Sequence, residues 1–202
     1  MMGRMAGTGG GARGALASLA LLVCLSAAGC TVEDPGEPPS SSAPESAALR
    51  VRTVHVAGSL TPEARAEAES AVGDVLSGYV VRAFLGDYPR EDFVGSFESF
   101  TGDLARDAAR DIDQLTANSF GEAESVRATR LDADLSFLAE DSGVVGATAS
   151  VRFAFEATVD GERRPLGLRG RLMLVEDDDA WSVFGYDVVT DTGDAVEAGV
   201  SP

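Results

Sequence analysis

From residue 131 onward the chain keeps a period of two. Leu131, Ala133, Leu135 and Phe137 alternate with more polar neighbours, and Glu140 to Gly143 has the composition of a turn. Ala147, Ala149, Val151, Phe153, Phe155, Ala157 and Val159 then alternate without a slip. Successive side chains of a strand point to opposite faces, so this spacing predicts strands with one buried face. Asp160-Gly161 is a hairpin dipeptide. Beyond it Leu166, Leu168, Leu172 and Leu174 continue the alternation, Glu176 to Asp179 turns again, and Trp181 to Val189 forms a last strand. Four consecutive strands joined by tight turns predict an antiparallel meander.

Upstream the period lengthens. Thr61 is an N-cap residue, Pro62 suits the first helical position and Glu63 the first turn. Ala64, Ala68, Val72, Val75, Tyr79 and Ala83 follow at spacings of three and four and make one apolar stripe. Gly73 and Gly78 lower the intrinsic propensity of this helix, so it depends on tertiary packing. Gly86 to Pro89 ends it. A second helical region is expected from about Glu91 to Asn118, interrupted at Thr101-Gly102, with Phe93, Phe97 and Phe100 on one face. Leu49 to Val56 is a short β-branched segment, a first strand or a lead-in. All thirteen aromatic residues lie beyond residue 78, which places the core there. The expected class is α+β, with N-terminal helices covering one face of a four-stranded antiparallel meander.

The first 30 residues follow other rules. Met1 to Gly14 contains Arg4 and Arg13 and no acid, and Ala15 to Ala28 is a 14-residue apolar run. That run suits the apolar region of an export signal and is short for a bilayer span. It closes on Ala27-Ala28-Gly29-Cys30, which resembles the lipobox of bacterial lipoproteins, although Ala27 stands where that family usually has Leu. The resemblance implies cleavage after Gly29 and acylation of Cys30. Cys24 would leave with the signal, so the fold would rest on its core and not on disulfides. Thr31 to Ala47 holds four of the eight prolines, four serines, four acids and no base. This composition predicts a disordered spacer able to reach about 50 Å when extended. The expected organisation is a lipoprotein signal over 1–29, the lipidated Cys and acidic linker over 30–47, one domain over 48–194 and a flexible tail over 195–202.

Charge sharpens this picture. The chain has 16 Arg, no Lys and 33 acidic residues, a formal charge of −17. Losing the signal would leave 14 Arg against the same 33 acids. Nucleic acid is not an expected partner, because phosphate binding depends on Lys and Arg neutralising the backbone. A single His and two Cys leave no ligands for the usual zinc sites, and no metal or other cofactor is expected. At the level of net charge, anionic lipid should repel the domain.

Helices followed by a meander that ends in Trp181-x-Val183-x-x-Tyr186-Asp187 resemble the nuclear-transport-factor-like (cystatin-like) cone superfamily. The resemblance covers roughly Thr61 to Val189 and implies a curved sheet around a long helix, with a pocket at the wide end near Trp181, Tyr186 and Asp187. That superfamily includes isomerases, cyclases, ligand-binding modules and accessory domains of actinobacterial envelope proteins; the all-Arg, Ala/Gly/Val-rich composition is similar to proteins of such GC-rich bacteria. An enzyme of this kind needs an acid or base whose pKa burial has moved. Asp187 shares strand parity with Trp181 and Val183 and so is expected inward or near a fraying end. Tyr186 is a candidate rim hydroxyl, Glu156 sits on the polar face of its strand, and His55 has no acid-base partner near it in sequence. Glu176 to Asp179 lacks the spacing of a calcium loop. Asp103, Asp107 and Asp111 share one helical face, with Arg106 and Arg110 three residues after the first two. No catalytic or metal residue is assigned. The expected role is a membrane-anchored, extracytoplasmic lipoprotein that binds an envelope protein or an apolar ligand without catalysis. The alternatives are a tethered isomerase or cyclase using Asp187 or Tyr186, and a purely structural accessory domain.

Overall fold

The computed structural model describes residues 45–141, 143–177 and 180–192. The expectations for the signal, Cys30, the linker as far as residue 44 and the C-terminal tail lie outside these residues. Five strands form one sheet in the order β1 (Leu49–Ala57), β2 (Ser125–Glu140), β3 (Gly143–Val159), β4 (Glu162–Asp177) and β5 (Ala180–Asp191). The four long strands pair antiparallel as neighbours, but β1 runs parallel to β2. The sheet is therefore mixed and five-stranded, where the alternation upstream of Thr61 was too short to decide between a strand and a lead-in. A parallel neighbour requires a crossover connection. Helix α1 (Pro62–Phe84) and the segment after it supply one.

Helix α1 begins as its sequence dictates. The Thr61 backbone is extended and its Oγ1 accepts a hydrogen bond from the Ala64 N–H at 3.1 Å. Its buried face comprises Ala68, Val72, Leu76, Tyr79, Val80, Ala83 and Phe84, so Leu76 and Val80 join the stripe while Val75 is half-buried. Gly86 stands just past the helix end with φ +105°, where a residue without Cβ is favoured.

The expected second helix is broken into short pieces. A 3₁₀ turn spans Val94–Phe97, α2 spans Gly102–Ala108, α3 spans Ile112–Leu115, and another 3₁₀ turn spans Asn118–Phe120. The cause lies in β5. Val183 N–H donates to the Ser99 carbonyl and Thr101 N–H donates to the Val183 carbonyl, both at 2.9 Å. The backbone from Ser99 to Thr101 thus satisfies part of the edge of β5 and cannot also complete helical bonds. Phe93, Phe97 and Phe100 are still buried, as their spacing implied.

Helices and sheet meet in one apolar core. The Phe84 ring stacks on Phe155 at 4.4 Å and 9°, Tyr79 lies edge-on to Phe84 at 6.0 Å, and Phe100 lies 5.5 Å from Tyr79. Fully burying a side chain of this size contributes about 1.5–3 kcal/mol. The Tyr79 hydroxyl donates to the Leu115 carbonyl at 2.5 Å, which fixes α3 against α1.

The alternating pattern slips at four places. Val54, Thr129, Val145 and Phe184 each fall between consecutive register pairs as an extra residue. Such bulges reverse the facing of everything beyond them. The slip at Phe184 bears directly on the candidate residues.

Candidate functional site

Trp181 and Val183 face the helices and are buried, and the Trp181 indole lies edge-on to Phe137 at 6.5 Å. Because Phe184 is the extra residue, Tyr186 opposite Leu172 and Val188 opposite Gly170 take the inner face. Asp187 stands opposite Arg171 on the outer face. Its carboxylate accepts from the Arg171 guanidinium at 2.6 Å and is exposed. The expectation that Asp187 shares parity with Trp181 and Val183 is thus corrected by one bulge. Trp181 and Tyr186 share a face of the sheet and Asp187 does not.

Tyr186 closes a contact between β5 and the helical segment. Its hydroxyl donates to Asp111 Oδ2 at 2.7 Å. Burial, followed by the hydrogen bond to Asp111 and the charges of Asp111 and Asp107, pushes the phenol up to about 12. Gln114 Nε2 donates to the Val188 carbonyl at 2.5 Å, and Thr190 Oγ1 donates to the Gln114 carbonyl, extending the same seam. These contacts hold α3 to the last strand.

The remaining candidates lie at the surface. Glu156 accepts from Arg127 at 2.8 Å on the outer face, as its parity implied. His55 is exposed beside a shallow depression of about 300 Å³ that also touches the exposed side chains of Leu138 and Phe184. Asp103 and Asp107 pair with Arg106 and Arg110 at i,i+3 spacing. Glu176 and Asp177 are exposed, and the other two acids of that turn lie outside the described residues. Among the described residues, no cluster of three or more His, Cys, Asp or Glu side chains is placed to hold a metal ion. No described helix is long and apolar enough to cross a membrane.

The outer face of the sheet carries what the sequence did not make visible. Arg50 pairs with Asp132 at 2.9 Å and Arg52 with Asp134 at 2.6 Å across the β1–β2 ladder. Arg130 also binds Asp132, and Arg152 reaches Asp134 at 2.9 Å. Further along, Glu156 is shared by Arg127 and Arg163, Asp191 by Arg169 at 3.4 Å, and Asp187 by Arg171. This band sets eight arginines against five carboxylates. Hydrogen bonds from Arg52 and Arg152 hold the Asp134 carboxyl down to about 2, and those from Arg130 and Arg50 lower Asp132. Residue spacing exposed the polar parity of each strand, but inter-strand register decides which charges become neighbours.

No known protein family, curated protein or solved structure matches this chain.

Proposed function

We propose that the chain is an extracytoplasmic lipoprotein, anchored through an acylated Cys30, whose domain works by binding a partner protein or an apolar ligand and not by catalysis. Within the α+β class, the cone type is supported by the order of elements, with helices before the long strands, and by Trp181, Val183 and Tyr186 on the covered face of the last strand.

One observation carries the non-catalytic reading. Among the described residues, no carboxyl or imidazole is buried: the buried residues with a polar side-chain atom are Tyr79, Trp181, Ser96 and Thr116, and the further buried polar atoms Arg82 Nε and Ser99 Oγ belong to a guanidinium and a hydroxyl. Ser96 and Thr116 are satisfied locally: Ser96 Oγ donates to the Arg82 carbonyl and Thr116 Oγ1 to the Ile112 carbonyl, each at 2.7 Å. Acid-base chemistry in an apolar pocket needs a titratable group, most often a carboxyl or imidazole, free to exchange a proton with the substrate. The two rival candidates instead spend their hydrogen bonds on the fold, Tyr186 on Asp111 and Asp187 on Arg171.

The anchor is tested by metabolic labelling with a fatty-acid analogue and by fractionation. Cys30→Ala is expected to abolish labelling and to move the chain out of the lipid-anchored membrane fraction. Unchanged labelling and fractionation would rule the anchor out. For the binding reading, an apolar molecule at near one-to-one stoichiometry in an organic extract of the purified chain identifies the ligand form. Turnover of a ketosteroid or polyketide-type substrate that Tyr186→Phe abolishes would replace the reading with the enzymatic one.

A further inference from the structure

We infer that the outer face of the sheet holds a binding site for an organic oxyanion, a phosphate or carboxylate attached to an apolar body, centred on Arg152 and Arg169. The inference is independent of the lipid anchor and of the covered face of the domain.

Four rows of the outer face define it. In one row Arg52, Asp134, Ser150, Arg171 and Asp187 follow one another from β1 to β5, so that charges alternate with one neutral residue between. The next row begins the same way with Arg50 and Asp132, but then places Arg152 directly opposite Arg169. Like charges directly opposite across an antiparallel pair are destabilising. Each guanidinium is drawn off toward a carboxylate in an adjacent row, Arg152 to Asp134 and Arg169 to Asp191, and no acid lies between them in their own row. In the third row Ala154 faces Gly167, two residues too small to project above the sheet. The fourth row, Glu156 opposite Pro165, closes the far side.

The result is a depression of about 570 Å³ with an apolar floor and mostly basic walls: Arg130, Arg152, Arg163 and Arg169 against Glu156 and Asp191. Its charge is opposite in sign to that of the chain, −17. Guanidinium forks match the geometry of carboxylate and phosphate oxygens and bind them bidentately. An oxyanion between Arg152 and Arg169 restores the alternation that this row lacks, while the body of the ligand lies over Ala154 and Gly167. The Gly167 floor is real space: a Cβ there would meet nothing closer than 3.6 Å. A larger side chain at Gly167 therefore fills the depression without striking the backbone.

The test uses the full chain and n-octyl phosphate, followed by calorimetric titration, with inorganic phosphate as the body-less comparison. Saturable one-site binding of octyl phosphate is expected, at least tenfold tighter than inorganic phosphate. Arg152→Ala and Arg169→Ala should each weaken it at least tenfold, Gly167→Val should weaken octyl phosphate more than inorganic phosphate, and Arg50→Ala, on the same face but outside the depression, should change it less than twofold. Circular dichroism confirms that each variant is folded. A parallel arm replaces octyl phosphate with vesicles of phosphatidylcholine with or without phosphatidylglycerol. Association that depends on both phosphatidylglycerol and Arg169 assigns the oxyanion to a lipid headgroup, whereas binding of octyl phosphate alone assigns it to a free small molecule. Absence of binding in both arms, or an Arg50→Ala effect equal to that of Arg169→Ala, overturns the site.

Discussion

Gly170 lies within β4 at φ +139°, and a Cβ built on it would sit 2.1 Å from the Asp187 carbonyl oxygen. Both the backbone conformation and the contact forbid a side chain, since the obstacle is main chain and cannot rotate away. Gly170→Ala should therefore destabilise the domain by several kcal/mol, on the order of the largest single-residue effects; urea unfolding measures it, and a change below about 0.5 kcal/mol contradicts the fit. Tyr186→Phe removes only the bond to Asp111 and should cost about 0.5–1.5 kcal/mol. All three tyrosines ionise late: burial drives Tyr79 well above the ordinary phenol value, and Tyr88 and Tyr186 reach about 12. A raised folded pKa means that each contributes stability fully present below the unfolded value near 10 and lost as pH rises through the folded one. Ultraviolet titration should accordingly show little tyrosinate at pH 10.5 in the folded chain and roughly three-quarters ionisation there once denaturant unfolds it.

At the scale of elements, local rules were legible and long-range ones were not. The N-cap at Thr61, the stripe of α1, and the type I′-like turn at Asp160 and Gly161, with φ +54° and +73°, follow from residues within a few positions of each other. Thr61→Ala should lower stability by about 1 kcal/mol, because the Ala64 N–H loses its acceptor; thermal unfolding checks it. Thr101-Gly102 announces the interruption after Phe100, but its bonds to Val183, and the parallel seat of β1 on β2, join residues more than 70 positions apart, and nothing near either segment announces those partners. The slip at Phe184 is of the same kind. Alternation through Trp181 and Val183 extrapolates Asp187 inward, and a single unpaired residue sends it outward to Arg171. Likewise, the spacing within β3 and β4 shows that Arg152 and Arg169 are polar-face residues, but only the register makes them neighbours.

For the whole molecule, net charge turns out to be a poor guide to the field at any one face. A chain of −17 presents a sheet surface on which arginines outnumber the acids they pair with, while the carboxylates of α1 and of the segment after it lie elsewhere. The expectation that anionic lipid is repelled rests on the average charge, whereas on this face eight arginines stand against five carboxylates. The ion pairs there give the fold an acid-sensitive component. Asp134 is held at about 2, below its ordinary 3.8, so its contribution to stability is present above pH 4 and is lost as pH falls toward 2. Between pH 5 and pH 2.5 the melting temperature of Asp134→Asn should fall less than that of the unsubstituted protein, and parallel curves would contradict this. Ala47 N–H donates to the Ala128 carbonyl and Ser46 Oγ accepts from the Ala128 N–H, which clasps the chain to β2 just before β1 begins. Tension applied from the N-terminal side along the strands first meets this clasp and then the whole β1–β2 ladder at once, in shear. A strand loaded this way resists as a row of bonds sharing the force, whereas a peeled strand yields one bond at a time.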